Sequence, residues 1–94
     1  MNVDLPLAKF RLGKIVATPN ALTHLRQDDI IRAIGQHQAG NWGKLGAHDR
    51  EANESALQSD GRLFSRYQSA QKTIFWVITE ADRSATTILL PEDY

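Results

Sequence analysis

The chain has no cysteine. That excludes a disulfide scaffold, a thiolate zinc site and a cysteine nucleophile. No apolar run approaches the roughly 18 residues of a membrane-spanning helix. Residues 1–9 lack the apolar core of a secretory signal. These absences make the cytoplasm the expected address, with no membrane as partner. An excess of one charge is also missing, since eleven Lys/Arg balance eleven Asp/Glu. A neutral chain matches a phosphate backbone poorly, so nucleic acid is a possible but less favoured partner. The glycine-rich phosphate loop, the dinucleotide fingerprint and the Gly-x-Ser-x-Gly elbow are absent, and no cofactor is expected. His24, His37 and His48 stand at no metal-ligand spacing, so no metal is expected either. The length of 94 residues predicts one domain, residues 1–94, with a small core.

What is present is unevenly placed. Residues 1–47 carry six Lys/Arg against three acids, and residues 48–94 carry five against eight. The resulting +3 and −3 halves form a modest dipole that could orient a partner. The same imbalance also fits ordinary solvated faces.

The hydrophobic pattern predicts the order β-α-α-α-β-β-β. Phe10 to Ala17 reads as a strand, with Gly13 as a bulge or break. Thr18 is a good N-cap and Pro19 fits the first helical position, opening a short helix to Arg26. Asp28 or Asp29 is expected to cap the next helix. Ile30, Ile34 and His37 then share one face at i, i+4, i+7, and the helix ends near Gly40. Asn41-Trp42-Gly43 is a turn. A third helix spans about Asp49 to Gln58 and stops at Asp60-Gly61. Residues 62–67, 73–79 and 85–90 are strand-like, with polar turns between them. Connections this short predict an antiparallel meander. The fold class is therefore α+β: an N-terminal strand, two to three helices, then a three-stranded antiparallel β-meander.

The central strand is apolar throughout. If the turn at 81–84 sets Glu80 opposite Ala85, then Phe75, Val77, Thr79, Thr86, Ile88 and Leu90 share one face. Ile74, Trp76, Ile78, Glu80, Ala85, Thr87 and Leu89 share the other. Helices normally cover one face only. The second needs the N-terminal segment, a second subunit or a macromolecular partner. Alternatively the sheet curves, and the first strand and Trp42 fill the space.

Polar groups gather at the sheet ends. Under an endoribonuclease reading, Glu80 or His37 serves as base on a ribose hydroxyl. Arg62 or Arg83 clamps the phosphate, with Tyr67 beside them. Under a binding reading, the contact residues are Trp42, Ser65, Thr79, Asp82, Ser84, Thr86 and Thr87. The structural alternative for His37 is a core-edge histidine with a satisfied ring nitrogen. Trp42 and Trp76 are tryptophans of the kind that small cores use.

A resemblance covers nearly the whole chain. Phe75 to Tyr94, with its Ile-Thr-Glu-Ala-Asp-Arg-Ser stretch, resembles the C-terminal signature of a family of small uncharacterised bacterial proteins. These occur on plasmids, integrated elements and chromosomes. The resemblance continues through Leu12 to Leu22, His37, Gly40-Asn-Trp-Gly43, Asp49, Asn53, Arg62, Ser65 and Tyr67. Gln36 and Asn41 depart from the family's Arg and Asp. With the doubly apolar central strand and the +3/−3 split, the resemblance points to a mobile-element accessory protein that binds a protein partner or itself, in host defence or counter-defence such as restriction or CRISPR. It brings no activity with it. The element order is also similar, at fold level only, to barnase/RelE-like ribonucleases and toxins. That similarity implies the alternative of a metal-independent endoribonuclease.

Overall fold

The computed structural model describes residues 8–94. The strands and helices are β1 (Lys14–Ala17), α1 (Pro19–His24), α2 (Gln27–Gln38), α3 (Ala47–Ser59), β2 (Leu63–Gln68), β3 (Ile74–Thr79) and β4 (Ala85–Leu89). A 3-10 turn, Pro91–Asp93, follows β4. The fold is α+β. The sheet order is β1-β4-β3-β2, with β2, β3 and β4 antiparallel and β1 parallel to β4. The meander is therefore present, but it forms three strands of a four-stranded mixed sheet. Helices between β1 and the meander let the first strand return beside the last in the same direction, which a tight hairpin could not do.

Local chemistry sets the element ends. Gly13 has φ of +65°, and a Cβ there would lie 2.4 Å from the Arg83 carbonyl oxygen. The strand expected from Phe10 consequently starts only at Lys14. Thr18 caps α1 as expected, its Oγ1 accepting the Ala21 N–H at 3.0 Å. α1 ends two residues earlier than expected, at His24. Neither Asp28 nor Asp29 is the N-cap of α2; that position is Arg26. Asp29 lies one turn inside and accepts the Arg26 N–H from there. Its second oxygen accepts the Ala70 N–H at 3.1 Å, tying α2 to the β2–β3 turn.

All the helices pack on one side. Ala21, Leu25 and Ala33 meet Tyr67, Phe75, Val77, Ile88 and Leu90, with Ile30 and Ile34 against them. A second cluster joins Trp42, Ala56 and Leu63 to Phe10, Leu45 and Leu57. Trp42 thus belongs to the helix side and does not fill the far face of the sheet.

The β2 edge is closed by side chain and loop. Asn53 of α3 donates to the Phe64 carbonyl at 2.6 Å and accepts the Phe64 N–H at 3.0 Å. It imitates a neighbouring strand. Two residues along, Arg66 donates to the Trp42 carbonyl and accepts from the Lys44 N–H. Asn53→Ala is expected to cost about 2 kcal/mol, because both Phe64 backbone groups lose their partners. A denaturant midpoint measurement checks this, and an unchanged midpoint would contradict it.

Candidate functional site

The inward side of the meander carries a row of buried polar groups. Thr79 and Thr86 are cross-strand neighbours, as the register predicts. Their hydroxyls lie 2.7 Å apart, and Thr86 donates to the Leu12 carbonyl at 2.7 Å. His37 stands over them with no exposed surface. Its Nε2 is 2.9 Å from Thr79 Oγ1 and its Nδ1 is 2.6 Å from Ser65 Oγ.

Counting protons orients the whole row. Thr86 has given its proton to Leu12, so Thr79 must donate to Thr86. Thr79 then accepts from His37 Nε2–H, and Nδ1, now a lone pair, accepts from Ser65. The row fixes His37 as the neutral Nε2–H tautomer. Burial, and then the Arg83 guanidinium, push its pKa down to about 4. Phe10 and Trp42 stand T-shaped to it, with ring centroids 5.1 and 5.7 Å away.

The structure places the sequence-derived residues as follows. Among the five proposed for catalysis, His37 is locked inside this row. Tyr67 is buried, donates to the Asn41 carbonyl, and has its phenol pushed up to about 12 by burial. Arg83 sits at φ of +62° and donates to the carbonyls of Gly61, Glu80, Ala81 and Ala56. It binds the end of α3 to the β3–β4 turn. Arg62 and Glu80 form a loose ion pair, 4.0 Å apart, with both side chains about half exposed. The five are not gathered around one cavity. Among the proposed binding residues, Trp42, Ser65, Thr79 and Thr86 are buried. Asp82 accepts the Ser84 N–H at 2.9 Å within the β3–β4 turn, where both are exposed. Thr87 is half-buried on the opposite face of the sheet.

Among the described residues, that opposite face carries no α-helix. Phe64 and Trp76 meet edge to face at 5.1 Å, and Trp76 meets Tyr94 at 5.6 Å. Arg62 stacks over the Tyr94 ring at 5.4 Å to its centroid and donates to its hydroxyl at 2.8 Å. Arg62, Phe64, Trp76, Ile78 and Tyr94 surround an open hollow of about 220 Å³. The Trp76 indole N–H is buried here without a hydrogen-bond partner among the described residues. The segment after β4 turns back over this face. Asp93 holds it there, accepting from Thr18 Oγ1, Asn20 and the Leu90 N–H. These bonds, with Thr18 foremost, keep the Asp93 carboxyl below its usual pKa.

Among the described residues the cover of the second face is therefore partial and comes from residues 91–94; of the N-terminal segment expected there, residues 1–7 lie outside the described residues. The signal for this cover was Pro91 followed by acids and a terminal tyrosine, which reads equally well as a strand stop. Phe64 and Tyr94 were missed because single aromatics carry no periodicity. Among the described residues, no three His, Asp or Glu side chains cluster to hold a metal ion, and no helix is long and apolar enough to cross a membrane. No family model, no curated protein and no solved structure matches this chain.

Proposed function

We propose that this chain acts by binding a protein partner on the face of its sheet opposite α1, α2 and α3. The observation that carries the reading is the aromatic hollow of Phe64, Trp76 and Tyr94, bordered by Arg62. Tryptophan, tyrosine and arginine are the side chains on which binding energy concentrates. Tyr94 is 69% exposed and the indole N–H of Trp76 offers a donor already stripped of water. An apolar anchor with a carbonyl or carboxylate near its base matches that donor. The resemblance to mobile-element proteins adds a setting, a bacterial accessory factor in defence or counter-defence. The ribonuclease alternative has less support, because it retains Arg62 and Glu80 as its solvent-reaching groups besides the half-buried Arg83.

The test is a partner retained by the immobilised chain, identified, purified and titrated back. Trp76→Ala and Tyr94→Ala are expected to weaken that reconstituted complex by more than about tenfold. Tyr94→Ala guards against a folding artefact, since the ring is mostly exposed. No stoichiometric partner, or equal affinity in both variants, would remove the reading. RNA cleavage in EDTA that depends on Arg62 and Glu80 would replace it with the enzyme.

A further inference from the structure

The two edges of the sheet are treated differently. At β2, Asn53, Trp42 and Lys44 occupy the outward backbone groups of Phe64 and Arg66. At β1, the other edge, nothing among the described residues does the same. The N–H groups of Lys14 and Thr18 donate inward, to the Ser84 and Ile88 carbonyls. In a parallel ladder alternate residues face one neighbour, so Ile15 and Ala17 turn their N–H and C=O groups outward.

Past Lys14, the side chains on this edge are apolar on both faces. Ile15 is 49% exposed toward the helices, and Val16 39% exposed on the far face. On the helix side the edge opens into a hollow of about 480 Å³ lined mainly by Ile15, Leu22, Leu25, Ile30 and Ile31. Leu22 and Ile31 are 61% and 60% exposed. Edge strands are ordinarily blunted by charge, proline or cover. Among the described residues, Ile15-Val16-Ala17 has none of these, and the one charge of β1, Lys14, stands at its start.

We propose that β1 is a dimerisation strand, pairing antiparallel with β1 of a second copy to form one continuous eight-stranded sheet. A two-fold axis perpendicular to the sheet keeps the helices of both copies on one side. Opposed residues must then share a face, which restricts the register. With the axis at Val16, Ile15 opposes Ala17 of the second copy. That pairing uses all the outward N–H and C=O groups of both strands. Val16 faces its own counterpart in a non-hydrogen-bonded pair.

The same register sets Lys14 opposite Thr18 of the second copy. Thr18 Oγ1 donates to the Asp93 carboxylate at 2.7 Å. Each Lys14 ammonium therefore arrives beside a carboxylate of the other copy, twice by symmetry. This charge complementarity is what selects a second copy as the occupant. The contact lies away from the aromatic hollow and does not depend on the reading given for it.

The cysteine-free chain makes the register testable. Opposed Cα atoms in a non-hydrogen-bonded pair lie about 4.5 Å apart, within disulfide reach. Val16→Cys is expected to cross-link into a dimer under mild oxidation, and Ile15→Cys at least about tenfold less, because its counterpart is diagonal. Sedimentation at about 100 µM should show the wild-type chain as a dimer that dissociates on dilution. Val16→Lys should be monomeric with an unchanged circular dichroism spectrum, since its side chain is exposed in one copy. A wild-type monomer overturns the proposal, whatever else then covers the edge. So does a dimer that survives Val16→Lys, or cross-linking at Ile15→Cys equal to that at Val16→Cys.

Discussion

Acidification from pH 7 to pH 4 is expected to remove about 3 kcal/mol of folding stability through His37 alone. The unfolded imidazole titrates near 6.5, and the folded one is held at about 4 by burial and by Arg83. Above pH 6.5 both states are neutral and the histidine contributes no slope. Below it the unfolded chain takes up a proton that the folded chain refuses, so stability falls by about 1.4 kcal/mol per pH unit. The loss ends near pH 4, where the folded state also protonates. Small domains are stable by about 5–15 kcal/mol, so the fraction lost is large. Protonation would also place an N–H on Nδ1 and force Ser65 to turn its own hydrogen away.

Chemical denaturation at a series of pH values checks this. His37→Gln should be less stable at pH 7 and nearly flat between pH 6.5 and 4. If the variant keeps the wild-type slope in that window, His37 is not its source. Asp82 and Asp93 have carboxyls held below their usual range, chiefly by Ser84 and Thr18 respectively. Their contributions are present above about pH 4 and are lost below it. The histidine window therefore lies above theirs.

Gly43→Ala is expected to cost about 3–4 kcal/mol, from a backbone effect and a clash acting together. Gly43 has φ of +76°, and a Cβ there would fall 2.1 Å from the Arg66 carbonyl oxygen and 2.7 Å from the Tyr67 ring. Neither neighbour can yield. The carbonyl belongs to β2, and the Tyr67 hydroxyl is held by the Asn41 carbonyl. The loop must detach, taking with it the bonds from Arg66 to Trp42 and from Lys44 to Arg66. Gly35→Ala is the contrast. Gly35 lies within α2 with nothing within 4 Å of its would-be Cβ. There the substitution should stabilise by about 0.5–1 kcal/mol. Thermal melts of the two variants side by side test the pair. Similar melting temperatures would mean that the loop does not need its glycine.

Much of the architecture was legible because it rests on local chemistry. Thr18-Pro19, Asp60-Gly61 and the turn at 81–84 carry their instructions in the residues themselves. The turn placed Thr79 against Thr86, and that register put every inward residue of β3 and β4 on its correct face. His37 was legible as a member of the apolar face of α2, though not as the centre of a polar row. Ser65, Thr79 and His37 are 14 to 42 positions apart in the chain. No spacing rule connects them; only packing α2 onto the sheet does.

The candidate site was less legible for the same reason. Polar residues at strand ends looked like a reactive cluster when written along the chain. In space, alternation along the strands and the path of α3 divide them between two faces and a turn. Arg83 illustrates the division. A lone arginine in a turn reads as a phosphate clamp, whereas here it closes the carbonyl ends of α3 and β3.

The amino-acid order by itself determined the elements, the antiparallel meander and an apolar ribbon from Ile74 to Ile78, since these follow from capping, turn chemistry and period-two alternation. Tertiary structure alone decided that β1 lies parallel beside β4, that α3 rather than a strand closes the β2 edge, and that the last residues fold back across Trp76. Those are contacts between groups far apart in the chain, and their geometry comes from closing loops around a shared core, which no local pattern records.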